Sequence, residues 1–354
     1  MKESIERSAP RYGRRFALLT LLFAAVFLIS FVLGRYSVPL GTTLRILWAK
    51  ALEGLHFGAF QPLPLQIWTD TEAAVVLNIR LPRILCATLV GAALSAAGAS
   101  YQGMFRNPMV SPDLMGASTG AGFGAALAIL LGAGYWGITL TAFCFGLAAV
   151  ALAYLVSRFS RLNATLALVL AGVMISSLFS ACTSFVKLVA DTQDQLPAIT
   201  YWLMGSLSSV RAEDAAFAAV PILLGLIPLL LLRWRINLLT VSEAEARSLG
   251  LRSGRLRLAV ILAATFVTSA SVSVSGMIGW VGLVIPHFCR MLFGYDYRRL
   301  IPASILMGGA FLLLVDDLAR VLTSSEIPLG ILTSFVGAPV FVWLILQGGA
   351  DRER

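Results

Sequence analysis

The sequence predicts an all-α membrane protein, a single polytopic transmembrane domain over residues 1–354 with about ten membrane-spanning helices. Three observations predict it. Hydrophobic residues make up 58% and charged residues only 13% of the 354 positions, where a soluble domain carries roughly 25% charge. Mean hydropathy is +0.85. Apolar stretches of the ~20 residues needed to cross ~30 Å of hydrocarbon recur from Phe16 to Leu346.

The predicted spans are 16–34, 84–105, 114–132, 136–157, 164–189, 214–232, 256–275, 281–293, 301–321 and 329–347. The first follows Arg14-Arg15 and mimics a signal peptide. Its apolar run exceeds the roughly 7–15 residues of a signal core and no A-x-A site follows, so it reads as a retained span. The eighth is short and contains Pro286. Residues 35–83 and 190–213 read as polar connections, the latter with Tyr201 and Trp202 suited to the membrane interface. Ser269, Ser271, Ser273 and Ser275 alternate with a strand-like period of two. An isolated strand in lipid could not satisfy its backbone, so the helix reading stands.

The net charge of +9 does not indicate nucleic acid, because the basic residues flank apolar spans. With the N-terminus inside, 19 of the 27 basic residues fall on inner segments, which predicts a multi-pass inner-membrane protein with both termini cytoplasmic. Cys86, Cys144, Cys182 and Cys289 form no CxxC pair and read as packing residues. With His56 and His287 the only histidines, the sequence predicts no metal site and no cofactor bound by this chain.

Two related halves are predicted, about 80–190 and 255–347. Each opens on an Arg-Leu pair (Arg80-Leu81, Arg255-Leu256) and a small-residue-rich helix, then meets a proline break, at Pro108/Pro112 and at Pro286. Five spans separate them, so their topologies are inverted, a common transporter design. Gly91, Ser95 and Gly98, and Gly116, Gly120 and Gly124, have the spacing that lets helix backbones approach closely in lipid.

The segment 233–257 falls on the inner side. Ser242 and Glu245 make a capping box, with Glu243 beside them, and Gly250 supplies a left-handed stop. A short helix over 243–249 is predicted. Of the three lysines, Lys2, Lys50 and Lys187, none follows a glycine, so the chain has no P-loop and is not itself an ATPase.

Several motifs carry a resemblance. Glu245-Ala246-Arg247-Ser248-Leu249-Gly250, Arg80-Leu81-Pro82-Arg83, Arg106-Asn107-Pro108-Met109, Tyr201 to Leu207, Gly279 to His287 and Gly337-Ala338-Pro339 occur in this order. Together they resemble the iron-siderophore, haem and cobalamin permease family of type II ABC importers over about residues 34–347. The resemblance implies ten helices per subunit and a homodimer with its pathway on the dimer axis. It also implies two cytoplasmic ATPase subunits that use ATP and Mg²⁺, and a periplasmic substrate-binding protein. In family terms Ser242 to Gly250 couple to the ATPase, while Arg80, Arg83 and Arg320 dock the binding protein. Asn107, Met109 and, more loosely, Thr165 take the cytoplasmic gate positions. Plainer readings stand beside these: interfacial snorkelling for Arg80 and Arg83, pairing of Arg320 with Asp316 or Asp317, and a simple helix-ending turn at Asn107-Pro108.

The rival class is an ion-coupled carrier, which places a carboxylate near the bilayer centre. Asp113, Asp191 and Asp214 are predicted at span ends, which argues against it. The expected cargo is an iron chelate, a ferric siderophore before haem, cobalamin or molybdate.

Overall fold

In a computed structural model, the structure describes residues 2–54, 68–240 and 253–350. The described residues form twelve helices and no strand. They are α1 Lys2–Ser30, α2 Leu40–Gly54, α3 Asp70–Phe105, α4 Ala117–Leu130, α5 Tyr135–Phe159 and α6 Ala164–Val189. Then come α7 Gln195–Leu203, α8 Ala212–Leu239, α9 Ser253–Ser275, α10 Val281–Phe293, α11 Tyr297–Val321 and α12 Leu329–Ala350. Among the described residues seven helices are long and apolar enough to cross a membrane, and α4, α10 and the apolar part of α12 are shorter.

Burial separates a centre from a rim. The most apolar window of α9 is 78% buried and that of α11 67%, against 17% for α1 and 28% for α6. Nearly every residue of α3 from Pro82 to Phe105 is buried. Small residues permit this. A methyl group added at Gly91 would strike the Gly308 carbonyl of α11, and one at Gly98 the Gly282 carbonyl of α10. Where a methyl would not fit, backbones touch and dispersion accumulates along the crossing. The serines at 269–275 are helical. Ser271 and Ser275 Oγ donate to carbonyls four residues back at 2.7 and 2.8 Å, satisfying themselves within the helix.

The ends of the bundle are defined by contacts between remote residues. At one, Ser30 of α1 donates to Asp317 of α11 at 2.6 Å. At the other, Phe16 packs on Phe293 at 4.4 Å, Arg106 donates to the Leu239 carbonyl at 2.9 Å and Asn237 to Asp296 at 2.7 Å. These are called below the Arg83 end and the Arg106 end.

Three elements differ from expectation. The second span begins at Asp70, not 84, and continues through Pro82. A capping box starts it, with Glu72 N donating to Thr69 Oγ1 at 3.2 Å and Thr69 N to Glu72 Oε2 at 2.8 Å. A π-helical segment, Val75–Arg80, absorbs the proline, because the wider turn relieves the ring's clash with the preceding carbonyls. The break expected at Pro286 lies instead at Gly276–Trp280, and Pro286 sits inside α10. Finally, the sixth span runs on to Leu239, beyond the expected 232.

Candidate functional site

The Arg83 end holds a buried ion network. Arg83 donates through Nε to both carboxylate oxygens of Asp316 at 3.0 Å and pairs through Nη2 with Asp316 at 2.9 Å. Its Nη1 pairs with Glu326 at 2.9 Å. Arg320 pairs with Asp316 at 3.3 Å and with Asp317, whose other oxygen takes the Ser30 hydroxyl. Arg80 spends its guanidinium on the carbonyls of Phe31 and Tyr36. The structure therefore brings Arg80, Arg83 and Arg320 together around one cleft of about 190 Å³, with Gly34, Arg35 and Glu326 on its wall. All three are buried, so none snorkels freely. The pairing of Arg320 with both Asp316 and Asp317 is present.

The Arg106 end carries the turn formed by Arg106 to Met109. Arg106 closes α3 in the left-handed region (φ 53°), and Asn107 Oδ1 accepts from Met109 N at 2.9 Å. Asn107 and Met109 are exposed, and the plain helix-ending turn is real. Thr165 lies in the first turn of α6, its amide capped by Asn163 at 2.9 Å. Behind the turn stands Gln102, which sequence reasoning missed. Its Nε2 donates to Val110 O at 3.1 Å and reaches Gly282 O and Leu283 O at 3.4 and 3.3 Å, while its Oε1 accepts from Arg290 Nη1 at 2.6 Å. Pro286 has no N–H to give the Gly282 carbonyl four residues back, and Gln102 supplies the donor instead.

Between the ends lies irregular backbone at depth. After Arg106 the chain turns back into the bundle. The Leu114 carbonyl meets Gly172 of α6, eight residues or about 12 Å along that helix. Helix α4 starts beside Gly146, halfway along α5, and leads to the Arg83 end, while α10 runs to the Arg106 end. In the second half, Ser206 N donates to Ser275 O, Leu329 N to Gly205 O and Gly330 N to Met204 O, at 2.8, 2.8 and 3.0 Å. The Tyr201–Leu207 motif is thus a backbone clasp joining α7, α9 and α12. This irregular backbone is paired within protein, the condition for its existence at membrane depth.

A cavity of about 590 Å³ opens beside both irregular stretches, lined among others by Asp113, Thr119, Met277, Gly279, Ser334 and Phe335. Asp113, held by the Ser118 hydroxyl, is therefore at depth and not at a span end. Asp191, just past α6, and Asp214, in the first turn of α8, do lie at helix ends; Asp113 alone departs from that expectation, because the chain re-enters the bundle after Arg106. The predicted helix 243–249 and Ser242, Glu243, Glu245, Ala246, Arg247, Ser248, Leu249 and Gly250 lie outside the described residues.

Comparison with known proteins decides the class. The model of the FecCD transport family matches residues 21–347. The chain belongs to the FecCD transport family. Its FecCD relatives include the molybdate import system permease protein MolB of Haemophilus influenzae, 41% identical over 94% of this chain and 96% of that one. They also include the hemin transport system permease protein HmuU of Yersinia pestis, 37% identical over 89% and 97%. The "probable iron chelatin transport system permease protein" of Helicobacter pylori is 44% identical over 77% and 82%. A solved ABC transporter of metal-chelate type, in an inward-facing conformation, superposes with a TM-score of 0.83 at 39% identity, covering 95% of this chain and 99% of that one. As a FecCD protein the chain is a multi-pass membrane permease subunit of an ABC importer.

Proposed function

We propose that this permease imports a ferric siderophore across the bacterial inner membrane as a homodimer, with the pathway on the dimer axis. The observation that carries this reading is the pair of half-length helices, α4 and α10, leading from mid-depth to opposite ends beside one cavity. Such discontinuous helices, in halves of opposite topology, suit a conduit that rocks about a central site. The related halves are about 80–190 and 255–347, in one domain with cytoplasmic termini.

The chain supplies no chemistry of its own and binds no cofactor. Two cytoplasmic ATPase subunits, using ATP and Mg²⁺, grip the coupling segment within 233–257, with Ser242 to Gly250 as the contact. Closure of that pair rocks the halves by binding one conformation better than the other. A periplasmic substrate-binding protein docks at Arg80, Arg83 and Arg320, and Asn107, Met109 and Thr165 gate the inner mouth. The relatives handle iron chelatin, hemin and molybdate. Among the described residues the cavity lining carries a carboxyl group and no lysine or arginine, so an oxyanion meets no counter-charge from them. This favours an iron chelate over molybdate.

The test is uptake of ⁵⁵Fe-ferrichrome into vesicles holding permease, its ATPase and its binding protein, beside ⁹⁹Mo-molybdate. Uptake of the iron chelate that requires ATP and the ATPase is expected. Undiminished uptake without the ATPase overturns the importer reading, and molybdate uptake alone overturns the cargo.

A further inference from the structure

The docking reading of Arg83 leaves a difficulty on the page. Every nitrogen of its guanidinium already faces a carboxylate of its own chain, Asp316 through Nε and Nη2 and Glu326 through Nη1. A partner's carboxylate gains nothing from Arg83 unless one of these leaves.

The three internal carboxylates are not equally able to leave. Asp316 and Asp317 are fixed within α11, their side chains 0% and 4% exposed. Glu326 stands on the short connection between α11 and α12, its side chain 26% exposed, and one wall of the cleft is its own. Its departure moves no helix. Beside it, Arg35 is exposed and, among the described residues, donates to the Thr323 carbonyl of the same connection, at 3.2 Å. The charges give the same answer. Arg80, Arg83 and Arg320 face Asp316, Asp317 and Glu326, with Arg35 a fourth cation on the wall, so the cleft already holds one more cation than carboxylate and removal of Glu326 leaves it two negative charges short.

We infer that Glu326 is a resident plug of the docking cleft, which one carboxylate side chain of the docking protein displaces, and that Arg35 is the rim residue that meets that carboxylate first. The inference rests on the docking reading of Arg80 and Arg83. Displacement is an ion-pair exchange. The Arg83–Glu326 pair opens, an Arg83–partner pair forms in its place, and Glu326 turns to solvent. Because one pair replaces another, docking is kept readily reversible while orientation remains fixed by the cleft.

The experiment measures docking of the cognate binding protein to the assembled permease–ATPase complex in lipid nanodiscs by biolayer interferometry. Glu326→Gln and Glu326→Ala are expected to tighten docking about fivefold, chiefly through slower dissociation, because the competing pair is gone. Glu326→Asp, one methylene shorter, should fall between them and wild type. Arg35→Ala should slow association about threefold and leave dissociation nearly unchanged. If Arg83→Ala weakens docking while the Glu326 variants bind equally or more weakly, the plug is refuted and the docking site survives. If Arg80→Ala and Arg83→Ala both dock as wild type, the docking reading itself fails. Unaltered docking with a rise in co-purified phosphatidylglycerol in Glu326→Gln gives the cleft to a lipid headgroup and overturns the proposal.

Discussion

The two ends of the bundle bury arginine in opposite ways. At the Arg83 end, Arg83 and Arg320 share Asp316, with Asp317 and Glu326 completing the balance. At the Arg106 end, Arg290 is equally buried, yet among the described residues its side-chain partners are neutral groups, the Gln102 amide and the Tyr297 side chain. The first arrangement is a network of charges whose outermost member, Glu326, is the most exposed. The second is a fastening of backbone carbonyls in which the cation orients the amide. On the docking reading proposed above, the former suits a surface at which partners arrive and leave. On the gate reading proposed above, the latter suits a turn whose position must be held between strokes.

The contrast is sharpest at Asp316. Asp316→Ala takes the shared carboxylate from two buried guanidiniums, leaving Arg83 with that of Glu326 alone and Arg320 with that of Asp317 alone. A loss of about 3–5 kcal/mol is expected from breaking a buried pair on one side. The check is a fall in thermal unfolding midpoint in detergent, and a fall no larger than for a surface variant breaks the comparison. Gln102→Leu comes next. It leaves the Gly282 and Val110 carbonyls without this donor and Arg290 without this acceptor, for about 2–3 kcal/mol. It should also raise the labelling of Met109→Cys by an impermeant maleimide, since the turn is no longer tied to α3. Equal labelling with and without Gln102 reduces that residue to ordinary packing. The smallest effect is expected for Arg290→Met. Replacing a poorly compensated buried cation by an apolar chain of similar size should be neutral, or stabilising by about 1 kcal/mol. Strong destabilisation there would show the two ends to be built alike.

Much of this architecture was legible because apolar length is a local property. The ten predicted spans each correspond to a helix among the described residues, and Gly91, Gly98, Gly120 and Gly124 sit at close crossings as their spacing suggested. What could not be read depends on partners distant in sequence. Pro286 reads as a break from its neighbours alone, since nothing near it shows that Gln102, 180 residues before Gly282, donates to the carbonyl that the proline strands. Asp113 was placed at a membrane boundary because re-entry of the chain after Arg106 leaves no mark in hydropathy. The family resemblance gives Arg80, Arg83 and Arg320 a shared role, whereas their convergence on one cleft is visible only in the fold. Glu326 escaped notice because a lone glutamate on a short connection resembles any solvated loop residue. Arg35 was passed over for the same reason.

The π-helical segment before Arg80 has one more consequence. A π turn holds one residue more than an α turn, so everything after it is rotated by about 100° about the helix axis relative to a regular continuation. The orientation of Arg80 and Arg83 toward the 31–36 segment and α11 is set by that angular offset rather than by their own spacing. Reversion of that turn to regular α geometry with every residue kept would undo the offset. Arg80 and Arg83 would keep their sequence neighbours and point elsewhere, disconnecting the cleft without altering any residue that lines it from α11.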